Sequence, residues 1–95
     1  MKILAIEKEI DGTTKEQFTP YLKLEAQRVW ELHQTGVIRE IHYGKSSHNA
    51  VLILECKDEI EAKEILDTLP LVKEKLITFE IIPLIPYDGF ERLFN

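Results

Sequence analysis

Among the residues able to move protons or bind charge, Glu25 has the least expected setting. On a 3.6-residue helical wheel Phe18, Tyr21, Leu22, Val29 and Leu32 fall on one arc, and Glu25 lies near its middle. A carboxylate on the centreline of a buried face costs free energy unless it is paired or protonated. Burial raises its proton affinity towards neutrality, the range a proton-shuttling base needs. Glu25 is therefore the candidate catalytic residue. The structural alternative is that it overhangs the sheet, or pairs with Arg28 one turn on.

Arg39 and Tyr43 alternate with Ile38, Glu40 and His42 at strand period, which predicts that they share a face with Val37 and Ile41. Turned towards the helices, Arg39 would neutralise a substrate carboxylate and Tyr43 would donate a hydrogen bond. An edge arginine in a salt bridge and a core tyrosine are the alternative. Histidine is the obvious titrating group near neutral pH. His33, on the flank of the helical arc, is the best placed for binding. His42 lies on the opposite strand face with Glu40, and His48 sits in a polar turn where solvation is expected. His33 and His42 can equally be satisfied structural residues. Glu7 and Glu55 each end an apolar strand. They come together if the register allows, and otherwise solvate the strand ends. Trp30 is off the centre of the arc, placed to stack on a neighbouring subunit or to cover the edge of the core. Cys56 ends a buried strand as a small apolar residue. Glu59, Glu61, Lys63 and Glu64 form a solvated helix face, with a favourable Glu59–Lys63 pair.

Six elements must position these groups. Residues 2–8 are a short apolar strand ended by Asp11-Gly12. Thr13 and Thr14, with Glu16 and Gln17 three positions after each, predict a helix start. The helical pattern runs to Thr35, where Gly36 stops it. Residues 37–43 and 50–56 form a hairpin around the polar turn 44–49. Asp58 and Glu61 cap a second helix with the apolar stripe Ala62, Ile65, Leu66 and Leu69, closed by Pro70. Residues 71–75 are a connector with room for one helical turn, and 76–84 are the last strand. Pro83 removes a ladder donor there, so that strand's end belongs at an edge or a bulge. The order β-α-β-β-α-β is the split-βαβ pattern of a ferredoxin-like α+β fold with an antiparallel sheet. Right-handed crossovers put both helices on one side. Yet residues 50–56 are apolar on both faces. A second copy packed sheet to sheet resolves the conflict, giving a dimeric α+β barrel with this single domain, residues 1–95, as its half. The apolar tail of Tyr87, Phe90, Leu93 and Phe94 is expected to dock on that partner or over the sheet.

Ninety-five residues suit one domain with one modest core, and 44% apolar with 31% charged content argues against disorder. A net charge of −5, with scattered Lys and Arg, makes nucleic acid a poor partner. The stretch from Met1 to Ile6 is too short for a signal-peptide core, and no run approaches a membrane span. With one cysteine there is no internal disulfide, no Cys/His spacing resembles a zinc site, and a reducing cytoplasm is the expected location. Glycine-rich phosphate loops and nucleophile elbows are absent from the sequence. These features leave cofactor-free proton transfer, cofactor-free oxygen chemistry or plain binding, with no metal and no cofactor expected.

Leu69-Pro70-Leu71, then a connector and a strand ending Ile81-Ile82-Pro83-Leu84, resembles the muconolactone delta-isomerase family. The chain length, the long first helix and the hairpin fit the same pattern. The resemblance implies the α+β-barrel fold, oligomers above the dimer, and a cofactor-free double-bond shift by proton transfer in a small, anionic organic molecule. The same barrel carries quinol-type monooxygenases, haem-degrading enzymes and small-molecule regulatory modules, so a non-catalytic binding or assembly module stays open beside the isomerase.

Overall fold

Strand β1 (Lys2–Glu9) runs through the interior of a four-stranded antiparallel sheet of order β2–β3–β1–β4. The computed structural model describes residues 1–94. β2 (Ile38–Tyr43) and β3 (Ala50–Glu55) form the hairpin, and β4 (Ile77–Leu84) is the edge strand that Pro83 requires. Element order and strand order are those of the ferredoxin-like fold.

Alternation along β1 sorts the sheet into two faces. Ile3 and Ala5, with partners Leu54 and Leu52 on β3, are sealed under the helices. Leu4 and Ile6, with partners Ile53 and Val51 on β3 and Ile82 on β4, point the other way and are only half-buried. No element covers that second face among the described residues. The core joins the covered face to Leu32, Ala62, Leu66 and Leu69. A smaller cluster of Leu71, Leu76 and Ile77 continues it, with Phe18 and Tyr21 packed alongside.

The first helix is not continuous. α1 (Lys15–Phe18) gives way to a 3₁₀ turn (Thr19–Tyr21) before α2 (Leu22–Gln34). Pro20 is the cause: it has no N–H to donate to the preceding turn, and its ring crowds the carbonyl four residues back. The start is as expected, with Thr14 N–H donating to Gln17 Oε1 at 2.6 Å. Gly36, at φ +84°, ends α2 in the left-handed conformation. Across the gap, the Tyr21 hydroxyl donates to Glu74 at 2.9 Å.

α3 (Glu59–Leu66) is capped by Asp58, which accepts from Glu61 N–H at 2.9 Å. It ends at Leu66, so Pro70 does not close it. Pro70 instead opens α4 (Pro70–Lys73), at a first-turn position where a missing N–H costs nothing. Lys63 pairs with Asp67 at 2.9 Å rather than with Glu59.

The tail does not lie over the sheet. Its 3₁₀ turn (Gly89–Leu93) projects outward, leaving Phe90 67% and Phe94 84% exposed. The radius of gyration, 15.4 Å, exceeds the roughly 12 Å of a compact chain this long.

Candidate functional site

The sheet and the first helical arm are joined tightly at one end only. Leu32 is the one fully buried residue of α2. Towards its start the helix stands off the sheet, and Leu22 is 51% exposed. Beneath it Ile41 and Tyr43, though on the helix side of β2, remain open. The result is a cleft of about 1010 Å³ with α1 and α2 as one wall and the covered sheet face as the other.

Glu25 sits on the helical wall and is half-buried. Its Oε1 accepts the Leu71 N–H at 2.9 Å. The donor belongs to the first turn of α4, where backbone N–H groups have no partner inside the helix. Burial pushes the Glu25 carboxyl above its usual range; the Leu71 hydrogen bond opposes this and the charge of Glu7 adds to it. Arg28 is not the partner of Glu25. Its Nε donates to Thr68 Oγ1 at 2.9 Å and its other arm pairs with Glu31 at 3.0 Å.

His33 and Tyr43 both line the cleft. His33 Nδ1 lies 3.0 Å from the Ile38 carbonyl oxygen. A carbonyl can only accept, so Nδ1 carries a proton and donates it there. Trp30 is tilted against the His33 ring, with centroids 6.4 Å apart, at the cleft mouth.

Arg39 is not part of this cleft. The register slips between Ile38 and Glu40, so a β-bulge falls at Arg39 and breaks the even alternation on which its shared face with Tyr43 rested. Its guanidinium bends back to the Gly36 carbonyl and is exposed. Glu40 and His42 land on the uncovered face, 3.1 Å apart.

Two lining residues have roles that their types alone do not reveal. His48 is exposed in the polar turn, as expected, and its ring also stacks on Tyr43 with centroids 4.0 Å apart and planes at 17°. A positive φ of 56° sets that geometry. Glu7 lies on the covered face, one alternation beyond Ala5, and its Oε1 accepts the Ala50 N–H at 2.7 Å. It is far from Glu55, because the antiparallel register puts Glu55 opposite Lys2 at the other end of β1. Glu55 instead meets the N-terminal ammonium at 3.7 Å. The signal for Glu7 was a carboxylate in phase with Ile3 and Ala5.

Cys56 is a free, buried thiol whose pKa is pushed up mainly by burial. No group of side chains suited to holding a metal ion occurs among the described residues, and no described helix is long and apolar enough to cross a membrane.

No family model and no curated protein matches the sequence. Among solved structures, the chain is similar to 5-chloro-2-hydroxyhydroquinone dehydrochlorinase TftG of Burkholderia phenoliruptrix AC1100, in complex with 2,5-dihydroxybenzoquinone. The TM-score is 0.68 at 14% identity, over 94% of this chain and 98% of that one. At that identity the likeness is one of fold: the chain has the fold of a dimeric α+β barrel subunit.

Proposed function

We propose that the chain is a cofactor-free proton-transfer enzyme acting on a small cyclic organic molecule in this cleft, with Glu25 as the shuttling base. The setting of Glu25 carries the reading. One carboxylate oxygen is fixed by a backbone N–H, the proton affinity is raised by burial, and the group faces a cleft of about 1010 Å³. Such a carboxylate can take a proton from a carbon acidified by a neighbouring carbonyl. The C–H electron pair spreads into the conjugated system, and reprotonation further along moves the double bond. Tyr43 offers a hydroxyl and His33 an imidazole among the residues that line the cleft. Lys15 is the lining cation available to meet a negative group, the task the sequence suggested for Arg39.

The resemblance of Leu69-Pro70-Leu71 to muconolactone delta-isomerases supports a lactone as substrate. The similar dehydrochlorinase, solved with a dihydroxybenzoquinone, supports a hydroxylated six-membered ring as the other candidate. That second molecule also favours one other reading, cofactor-free oxygen chemistry on a quinol. Self-association belongs to the same proposal: a second copy laid sheet to sheet would cover Leu4, Ile6, Val51, Ile53 and Ile82, leaving the cleft on the outside. A cytoplasmic location fits the single reduced thiol.

The test is ultraviolet-monitored turnover of muconolactone and of 5-chloro-2-hydroxyhydroquinone, with an oxygen electrode in the same cell and Glu25→Gln run beside the wild type. Proton transfer by Glu25 predicts turnover without oxygen uptake, slowed about a hundredfold or more in the variant. Oxygen consumption would move the assignment to the quinol reading. Equal rates in the two proteins would remove Glu25 from the mechanism, and binding without turnover would make the barrel a ligand-binding module.

A further inference from the structure

The cleft holds a second carboxylate on the wall facing Glu25. Glu7 occupies the covered face of an interior strand, where its neighbours in phase, Ile3 and Ala5, are fully buried. Its Cα partners are Phe79 on β4 and, beyond the last laddered pair, the start of β3. A carboxylate does not improve packing there. It is nonetheless held firmly: the 2.7 Å bond from Ala50 N–H fixes one oxygen, as Leu71 N–H fixes one oxygen of Glu25. Both residues line the same cleft, one from the sheet and one from the helical arm. Neither forms an ion pair with a lysine, arginine or histidine among the described residues.

We propose that Glu7 is the second proton-transfer group of this cleft, acting on the opposite face of the bound ring from Glu25. The inference rests on the reading of Glu25 as a proton shuttle. The step uses one ionised carboxylate and one protonated carboxyl. The ionised carboxylate removes a proton from one carbon: that C–H bond breaks, an O–H bond forms, and the electron pair enters the conjugated system. The protonated carboxyl gives its proton to the far carbon: its O–H bond breaks and a new C–H bond forms. The two groups have then exchanged protonation states, and proton exchange with water restores them. Burial raises the proton affinity of Glu25, and the charge of Glu7 adds to it. The other titratable or charged groups facing the pair are Glu9 on β1, Lys15 on α1, His33 on α2, Tyr43 on β2 and His48 in the hairpin turn.

The first arm of the test needs no substrate. The side-chain carboxyl carbons are titrated by carbon-13 nuclear magnetic resonance in the wild type, Glu7→Gln and Glu7→Asp. Glutamine keeps an oxygen for Ala50 N–H but removes the charge, so the Glu25 midpoint falls in that variant and stays raised in Glu7→Asp. An unchanged Glu25 midpoint in Glu7→Gln overturns the proposal. The second arm uses muconolactone as probe. Glu7→Gln is expected to lose about a hundredfold in kcat with a smaller change in KM. Activity within threefold of the wild type overturns the role of Glu7 while leaving that of Glu25 intact. A fully active Glu25→Gln enzyme removes the reading on which the inference stands.

Discussion

The Leu71 N–H donates to Glu25 Oε1 across 2.9 Å, joining the middle of the first helical arm to the turn that precedes the last strand. This one bond ties the two halves of the chain together on the wall of the cleft. It also gives the Leu69-Pro70-Leu71 turn a role beyond stopping a helix. With proline at the first helical position, the Leu71 N–H is an unpartnered first-turn donor aimed at Glu25.

Glu25 makes stability depend on pH in a defined direction. Its folded pKa is raised above the ordinary 4.5, so the native state holds a proton that the unfolded chain releases. The stabilisation is full below the ordinary value and is lost as pH rises through the folded value. The difference in melting temperature between wild type and Glu25→Gln should therefore shift in the variant's favour as pH rises. The substituted amide keeps an acceptor for the Leu71 N–H without a charge, so the variant gains on the wild type above the Glu25 midpoint. Melting curves that stay parallel between about pH 4 and about pH 9 would show that Glu25 is not buried as described.

Leu69 is fully buried, with 0% exposure, and touches both the core and the cleft. Leu69→Ala should cost roughly 2–5 kcal/mol. In a domain whose whole stability is about 5–15 kcal/mol, that is a large share. The urea midpoint measures it, and a loss below about 1 kcal/mol would mean the site can collapse around the alanine.

The uncovered sheet face predicts association. Ile53, Leu4 and Ile82 form a continuous row across β3, β1 and β4 with only partial cover. Light scattering should find a dimer or larger species for the wild type at micromolar concentration and a monomer for Ile53→Lys, since an unpaired charge is costly in a dry interface. A wild-type monomer would refute the sheet-to-sheet arrangement.

Asp58 caps α3 through Glu61 N–H. Asp58→Ala should lower stability by about 0.5–2 kcal/mol, read from the same urea curves. It should leave ligand binding unchanged, because α3 contributes no residue to the cleft.

Much of the fold was legible in local chemistry. Thr14 with Gln17, Asp58 with Glu61, and Gly36 after Thr35 mark helix ends by bonds and dihedrals spanning a few residues, and such bonds form wherever those residues stand in that spacing. Pro20 was equally local evidence for the break at Thr19–Tyr21, and the strength of the surrounding helical pattern masked it. The centring of Glu25 among Phe18, Leu22 and Val29 was also readable, because helical periodicity fixes which side chains share a face.

The sequence by itself therefore determined the order of the main elements, the capped helix starts, the doubly apolar sheet and the misplaced carboxylate. Tertiary structure alone decided which groups meet. Strand register put Glu7 under the helical arm and sent Glu55 to the far end of β1. A one-residue bulge took Arg39 out of phase with Tyr43. A left-handed turn residue folded His48 onto Tyr43. The physical reason is the same in each case. Periodicity constrains neighbours along one element, whereas register, bulges and the distance between a helix and a sheet are set by how all the side chains pack at once.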